Sequence, residues 1–90
     1  MIAQYVLYRK YAEYLYIINL NTSKSYVFEG IAGDLMDFVA NTETVNLDKL
    51  TARITEEYEV EDPTQMREEV TDFVNFLQVE GILIGGKNHD

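Results

Sequence analysis

Ninety residues, 47% of them hydrophobic, are enough for one modest core and too few for two, so a single domain is expected over residues 1–84. The absence of cysteine excludes disulfides, thiolate zinc sites and cysteine nucleophiles, and suits a reducing cytoplasm. No run of about 18 apolar residues and no charged-then-apolar N-terminus is present, so neither a membrane span nor a signal peptide is read and a soluble cytoplasmic protein is expected.

Gln4 to Arg9 and Glu13 to Leu20 are rich in Tyr, Val, Ile and Leu and read as strands. In the second, Tyr14, Tyr16, Ile18 and Leu20 share one face and Leu15, Ile17 and Asn19 the other, so neither face is plainly polar and partial cover is expected on both. Asn21-Thr22-Ser23 is a turn of residues that bond their own backbone, and Lys24 to Phe28 returns as a third strand of an antiparallel meander. Gly30 breaks that strand. Ile31, Leu35, Phe38 and Val39 then recur at helical spacing through Ala40.

Asn46 can cap a second helix with the stripe Leu47, Leu50, Ile54 and Tyr58, and Val45 with Leu50 is placed as a hydrophobic staple. The third helix has the strongest signals. Asp62 supplies the cap, Pro63 occupies a position where no N–H bond is lost, and Gln65 completes a capping box. Met66, Val70, Phe73, Val74 and Leu77 form one buried stripe, Gly81 ends the helix, and Ile82 to Ile84 leaves as a short strand or hook. The predicted fold is α+β and winged helix-turn-helix-like: a three-stranded antiparallel sheet, three helices and a short C-terminal strand or hook.

Charge is unevenly placed. Residues 1–28 carry Arg9, Lys10 and Lys24 against Glu13 alone, whereas residues 48–80 carry ten acids against Lys49, Arg53 and Arg67, within a net charge of −9. An acidic helical half repels phosphate backbones, so no nucleic-acid partner is expected. His89, the only histidine, lies in a segment 85–90 expected to be a flexible, idle tail. The acids at 56–62 lack the calcium-loop spacing with its central glycine, and no Ser/His/Asp set, phosphate-binding glycine loop or partnered carboxylate dyad is visible. No catalytic residue, metal site or cofactor is therefore assigned. Five of the seven tyrosines fall in the first sixteen residues, where they read as cover for a small sheet and its edge; such an edge, with aromatic flanks, is a dock for an extended peptide.

From Tyr26 onward, YVFEGIAGDLMDFVANTETVNLDKLTARITEEYEV and then EEVTDFVNFLQVEGIL resemble the PqqD family, the small proteins of pyrroloquinoline quinone biosynthesis and their relatives, also called RiPP recognition elements. Tyr26 and Phe28 take the family's strand-end places, with Glu29 where the family usually has Asn. Leu35, Met36 and Phe38 match the first-helix core, Thr44-Val45 the "T-V" helix start, and Leu50, Ile54 and Tyr58 the second helix. Glu69-Val70, Phe73-Val74, Leu77, Gly81 and Ile82 fall in register with "D-V-x-x-F-L-x-x-L-x-x-x-G-L".

The resemblance implies a non-catalytic chaperone that binds the leader of a ribosomally made precursor peptide and presents it to a modifying enzyme such as a radical SAM protein. In that family the leader adds as a strand beside the third strand, in the groove against the third helix. Carried onto this sequence, the peptide-binding candidates are Lys24, Ser25, Tyr26, Val27 and Phe28 on the strand and Met66, Arg67, Val70, Thr71, Phe73 and Val74 on the helix, with Arg67 meeting an acidic leader residue. A monomer or weak dimer is expected. The same topology also fits a winged-helix DNA-binding regulator, which the acidic third helix opposes, or a protein–protein adaptor or dimerisation module.

Overall fold

The computed structural model describes residues 2–84 and the backbone of Lys87–Asn88. Its elements are β1 (Val6–Tyr11), β2 (Tyr14–Asn19), β3 (Lys24–Phe28), α1 (Gly30–Ala40), β4 (Val45–Asn46), α2 (Leu47–Glu57), α3 (Pro63–Val79) and β5 (Lys87–Asn88). These are the expected three strands and three helices, with two short strands that were not expected, β4 before α2 and β5 within the segment read as a tail. The first three strands form an antiparallel sheet in the order β1-β2-β3, with Val6 opposite Asn19 and Leu15 opposite Phe28. β4 and β5 form a separate parallel pair. Of the expected tail, Gly85, Gly86, His89 and Asp90 lie outside the described residues.

The caps read from sequence are made. The Asn46 side chain accepts from the Lys49 N–H at 3.0 Å, and Asp62 accepts from the Gln65 N–H at 3.1 Å with Pro63 in the first helical position. Each cap satisfies a donor that the helix itself cannot. Gly81 sits at φ +74°, a left-handed conformation that favours glycine, while a Cβ there would meet the Asn19 amide nitrogen and the Tyr5 hydroxyl at ordinary contact, 3.4 Å. After it, Leu83 forms an isolated antiparallel bridge with Ile2, and the Ala3 N–H donates to the Ile82 carbonyl at 3.0 Å. The expected hook thus ties the two ends of the domain together.

One core joins the sheet to all three helices, built on Leu15 and Ile17 of β2, Met36 and Val39 of α1, Ile54 of α2, and Val70, Val74 and Leu77 of α3. Asn19 is buried among them. Its side chain accepts from the Asn21 N–H at 2.9 Å and donates to the Glu80 carbonyl at 2.9 Å, which fixes the β2–β3 hairpin to the end of α3. Only one face of the sheet is packed by helices, where partial cover was expected on both. Tyr16, Ile18 and Val27 on the far side remain 41%, 42% and 56% exposed, because all three helices pack on the Leu15–Ile17 face. Among the described residues, no helix is long and apolar enough to cross a membrane.

Candidate functional site

Among the described residues β3 pairs with β2 alone, so its other edge ends the sheet, and alternate backbone N–H and C=O groups there point away from the sheet. Side chains alternate about that edge. Ser25 and Val27 are exposed, while Tyr26 and Phe28 are half-buried and turn toward α3. Phe28 meets Phe73 edge-on, with ring centroids 5.4 Å apart, and Tyr26 meets Phe76 the same way at 6.0 Å. Tyr26 and Phe28 lie parallel at 6.3 Å, two residues apart on one strand face. The result is an aromatic floor between β3 and α3, whose edge-to-face contacts match the quadrupoles of the rings.

One end of this groove is held by polar contacts. The Tyr26 hydroxyl donates to Glu80 Oε1 at 2.6 Å, and Lys24 Nζ reaches the same oxygen at 3.4 Å. Donation to the Glu80 carboxylate, with desolvation adding to it, pushes the Tyr26 hydroxyl up to about 12. The hydrogen bond from Tyr26 holds Glu80 below the usual carboxylate range, and the Lys24 charge works in the same direction. Two further tyrosines join elements through carboxylates: Tyr8 of β1 donates to Asp37 and Tyr58, after α2, to Asp34, both acceptors on α1. Desolvation and then the Asp37 hydrogen bond push Tyr8 up to about 12, and the Asp34 hydrogen bond raises Tyr58. Among the described residues, no group of three or more His, Cys, Asp or Glu is placed to hold a metal ion.

The family model for coenzyme PQQ synthesis protein D (PqqD) matches residues 15–83, most of the chain. The chain belongs to the PqqD family. Its fold is also that of a solved structure, TbiB1 in complex with the TbiA(beta) leader peptide: the TM-score is 0.83 over 99% of this chain and 98% of that one, at 17% sequence identity. No curated protein sequence matches the chain.

In this PqqD-family chain the predicted residues divide into three groups. Lys24, Tyr26, Phe28 and Phe73 gather along the β3–α3 cleft, with Ser25 and Val27 on the outer side of the same strand. Val70 and Val74 are fully buried and Met66 nearly so; these side chains are core, and a peptide meets them only if their neighbours move. Arg67 and Thr71 stand on the opposite flank of α3. Arg67 Nε contacts Asp48 Oδ1 of α2 at 2.8 Å, and Arg67 and Thr71 line a depression with Thr64, Glu68 and Asp72 on the side away from β3.

Sequence reasoning missed Phe76 and Glu80. At i+3 and i+7 from Phe73 they fall on the flank of α3 that faces β3. An aromatic lying just off the buried stripe, on the Phe73 side, was the available signal.

Proposed function

We propose that this chain binds the leader segment of a ribosomally made precursor peptide as a fourth strand on the free edge of β3, and delivers it to a modifying enzyme such as a radical SAM protein. The observation that carries the reading is the unpaired β3 edge lying directly beside the aromatic face of α3. Membership of the PqqD family supports it, as does the likeness in fold to TbiB1, a protein solved with a leader peptide bound.

Magnitudes indicate how the two halves of such a site share the work. Each backbone hydrogen bond to an added strand contributes about 0.5–1.5 kcal/mol net, and ordering each peptide residue costs about 1–2 kcal/mol, so the edge by itself roughly breaks even. The favourable surplus comes from apolar side chains set against the aromatic floor, at about 1.5–3 kcal/mol for each well-buried anchor. Two or three anchors contribute about 3–9 kcal/mol, so an affinity near micromolar, about −8 kcal/mol, takes three that are each buried almost completely. The backbone bonds set direction and register, and the anchors set which peptide is held.

The chain itself carries out no chemistry in this reading, in keeping with a sequence that has no cysteine and one histidine. A DNA-reading role is opposed by the acids of α3, Glu68, Glu69 and Asp72, and by the engagement of Arg67 with Asp48. Calorimetric titration with the intact precursor, its leader alone and its core alone tests the proposal. The leader is expected to keep the full affinity and the core to show none; binding carried by the core, or by neither fragment, contradicts it.

A further inference from the structure

Beyond Phe28 and Phe73 the two walls of the groove continue into a second feature. The next apolar residue along the chain, Ile31, and the earlier turns of α3, Glu69 and Met66, line a hollow of about 520 Å3. Its apolar part is Ile31, Val60 and the nearly buried Met66; its polar part includes the exposed carboxylates Glu59, Glu61 and Glu69. Asp62 adds a fourth carboxylate while capping α3 through one oxygen. No Lys or Arg lines it.

We propose that this hollow is a subsite for one Lys or Arg side chain of the bound peptide, just past the segment that pairs with β3. The inference rests on the reading of β3 as the peptide edge. A long basic side chain is the ligand whose two parts match the two parts of the hollow, a methylene stem against Ile31, Val60 and Met66 and a cationic head among the carboxylates. A bare metal ion does not fit, since no set of three ligands among the described residues is arranged to hold one. The opposite end of the groove offers no equivalent attraction, because Glu80 is already engaged by Tyr26 and Lys24. β3 ends at Phe28 and the chain turns into α1 at Gly30, so the basic residue falls past the peptide position opposite Phe28, at one fixed spacing from it. The preference is therefore for a cation at a fixed spacing from apolar anchors, the reverse of the acidic residue expected opposite Arg67.

A display library of random peptides long enough to cover both β3 and the hollow, selected on the whole protein, supplies the probe. Recovered sequences are expected to carry Lys or Arg at one spacing from an apolar pair, and replacing that residue by Gln weakens binding about three- to tenfold, more at low salt. In the variant Glu61→Gln/Glu69→Gln, whose exposed positions leave the core intact, the basic peptide and its Gln counterpart bind equally. Peptides that protect the amides of residues 24–28 but show no cation preference, or keep it in the double variant, overturn the subsite and leave the edge reading standing. Peptides that leave those amides unprotected, or a selection that recovers none, overturn both.

Discussion

Phe76→Ala separates peptide binding from folding. Phe76 is 42% exposed and meets Tyr26 edge-on, so a peptide lying on β3 covers a ring that solvent now reaches. Of the roughly 200 Å2 that a phenylalanine presents, that exposed share is about 85 Å2, and covering it is worth about 2 kcal/mol at 25 cal/mol per Å2. Truncation to alanine should therefore weaken leader binding about 20- to 30-fold. It also removes one aromatic pair from the free protein, at about 0.5–1.5 kcal/mol, so urea denaturation must accompany the calorimetric titration. Val70→Ala is the control: this fully buried side chain costs about 2 kcal/mol of stability on truncation, yet the folded fraction should bind nearly as wild type. A folded Phe76→Ala protein with unchanged affinity refutes the assignment of this face of α3 to the groove.

Neighbouring N–H groups of an edge strand point in opposite directions, so N-methylation of the Tyr26 and Val27 amides in semisynthetic protein, which keeps both side chains, should differ in kind: one lowers the melting temperature by removing a bond to β2, and the other keeps it but loses peptide affinity. Two stability losses with no affinity loss would remove the edge from the site. Gly81→Ala should cost about 1–3 kcal/mol in urea unfolding, since alanine must take φ +74°. Stability should also depend on pH at both extremes. Tyr26 is raised from 10.0 to about 12 on folding, so its contribution is complete below pH 10 and falls away as pH rises from there toward 12; Tyr8 behaves likewise. Glu80 is lowered from 4.5, so its contribution is complete above that pH and is lost as pH falls through the lower folded value. Tyr26→Phe should flatten both limbs in pH-dependent denaturation, and limbs identical to wild type would contradict the Tyr26–Glu80 coupling.

The helices were legible because their ends carry explicit chemistry. Asn46, Asp62-Pro63 and Gly81 mark boundaries that the backbone geometry then requires. The first hairpin was less legible: β1 runs to Tyr11 rather than Arg9 because Ala12 adopts φ +56°, a left-handed conformation that sequence reading expects of Gly or Asn. Strand β3 was visible from its composition and the turn before it. Of the helical half of the cleft only Phe73 was, since an apolar stripe says which residues are buried and leaves open which flank of the stripe faces the sheet. That choice follows from how α2 packs: the Arg67–Asp48 contact commits the Arg67–Thr71 flank to the α2 side and leaves the Phe73–Phe76–Glu80 flank for β3. Val70 and Phe73 carry the same apolar signature in sequence, and only packing separates a core valine from a groove phenylalanine.

The central claim is that a foreign peptide completes the sheet at β3. Residue-resolved amide hydrogen exchange, with and without saturating leader peptide, tests it most directly. The account predicts new protection at alternate amides within residues 24–28, with the neighbouring amides, already bonded to β2, changed little. Exchange along those residues that is identical in the free and peptide-saturated protein would contradict it.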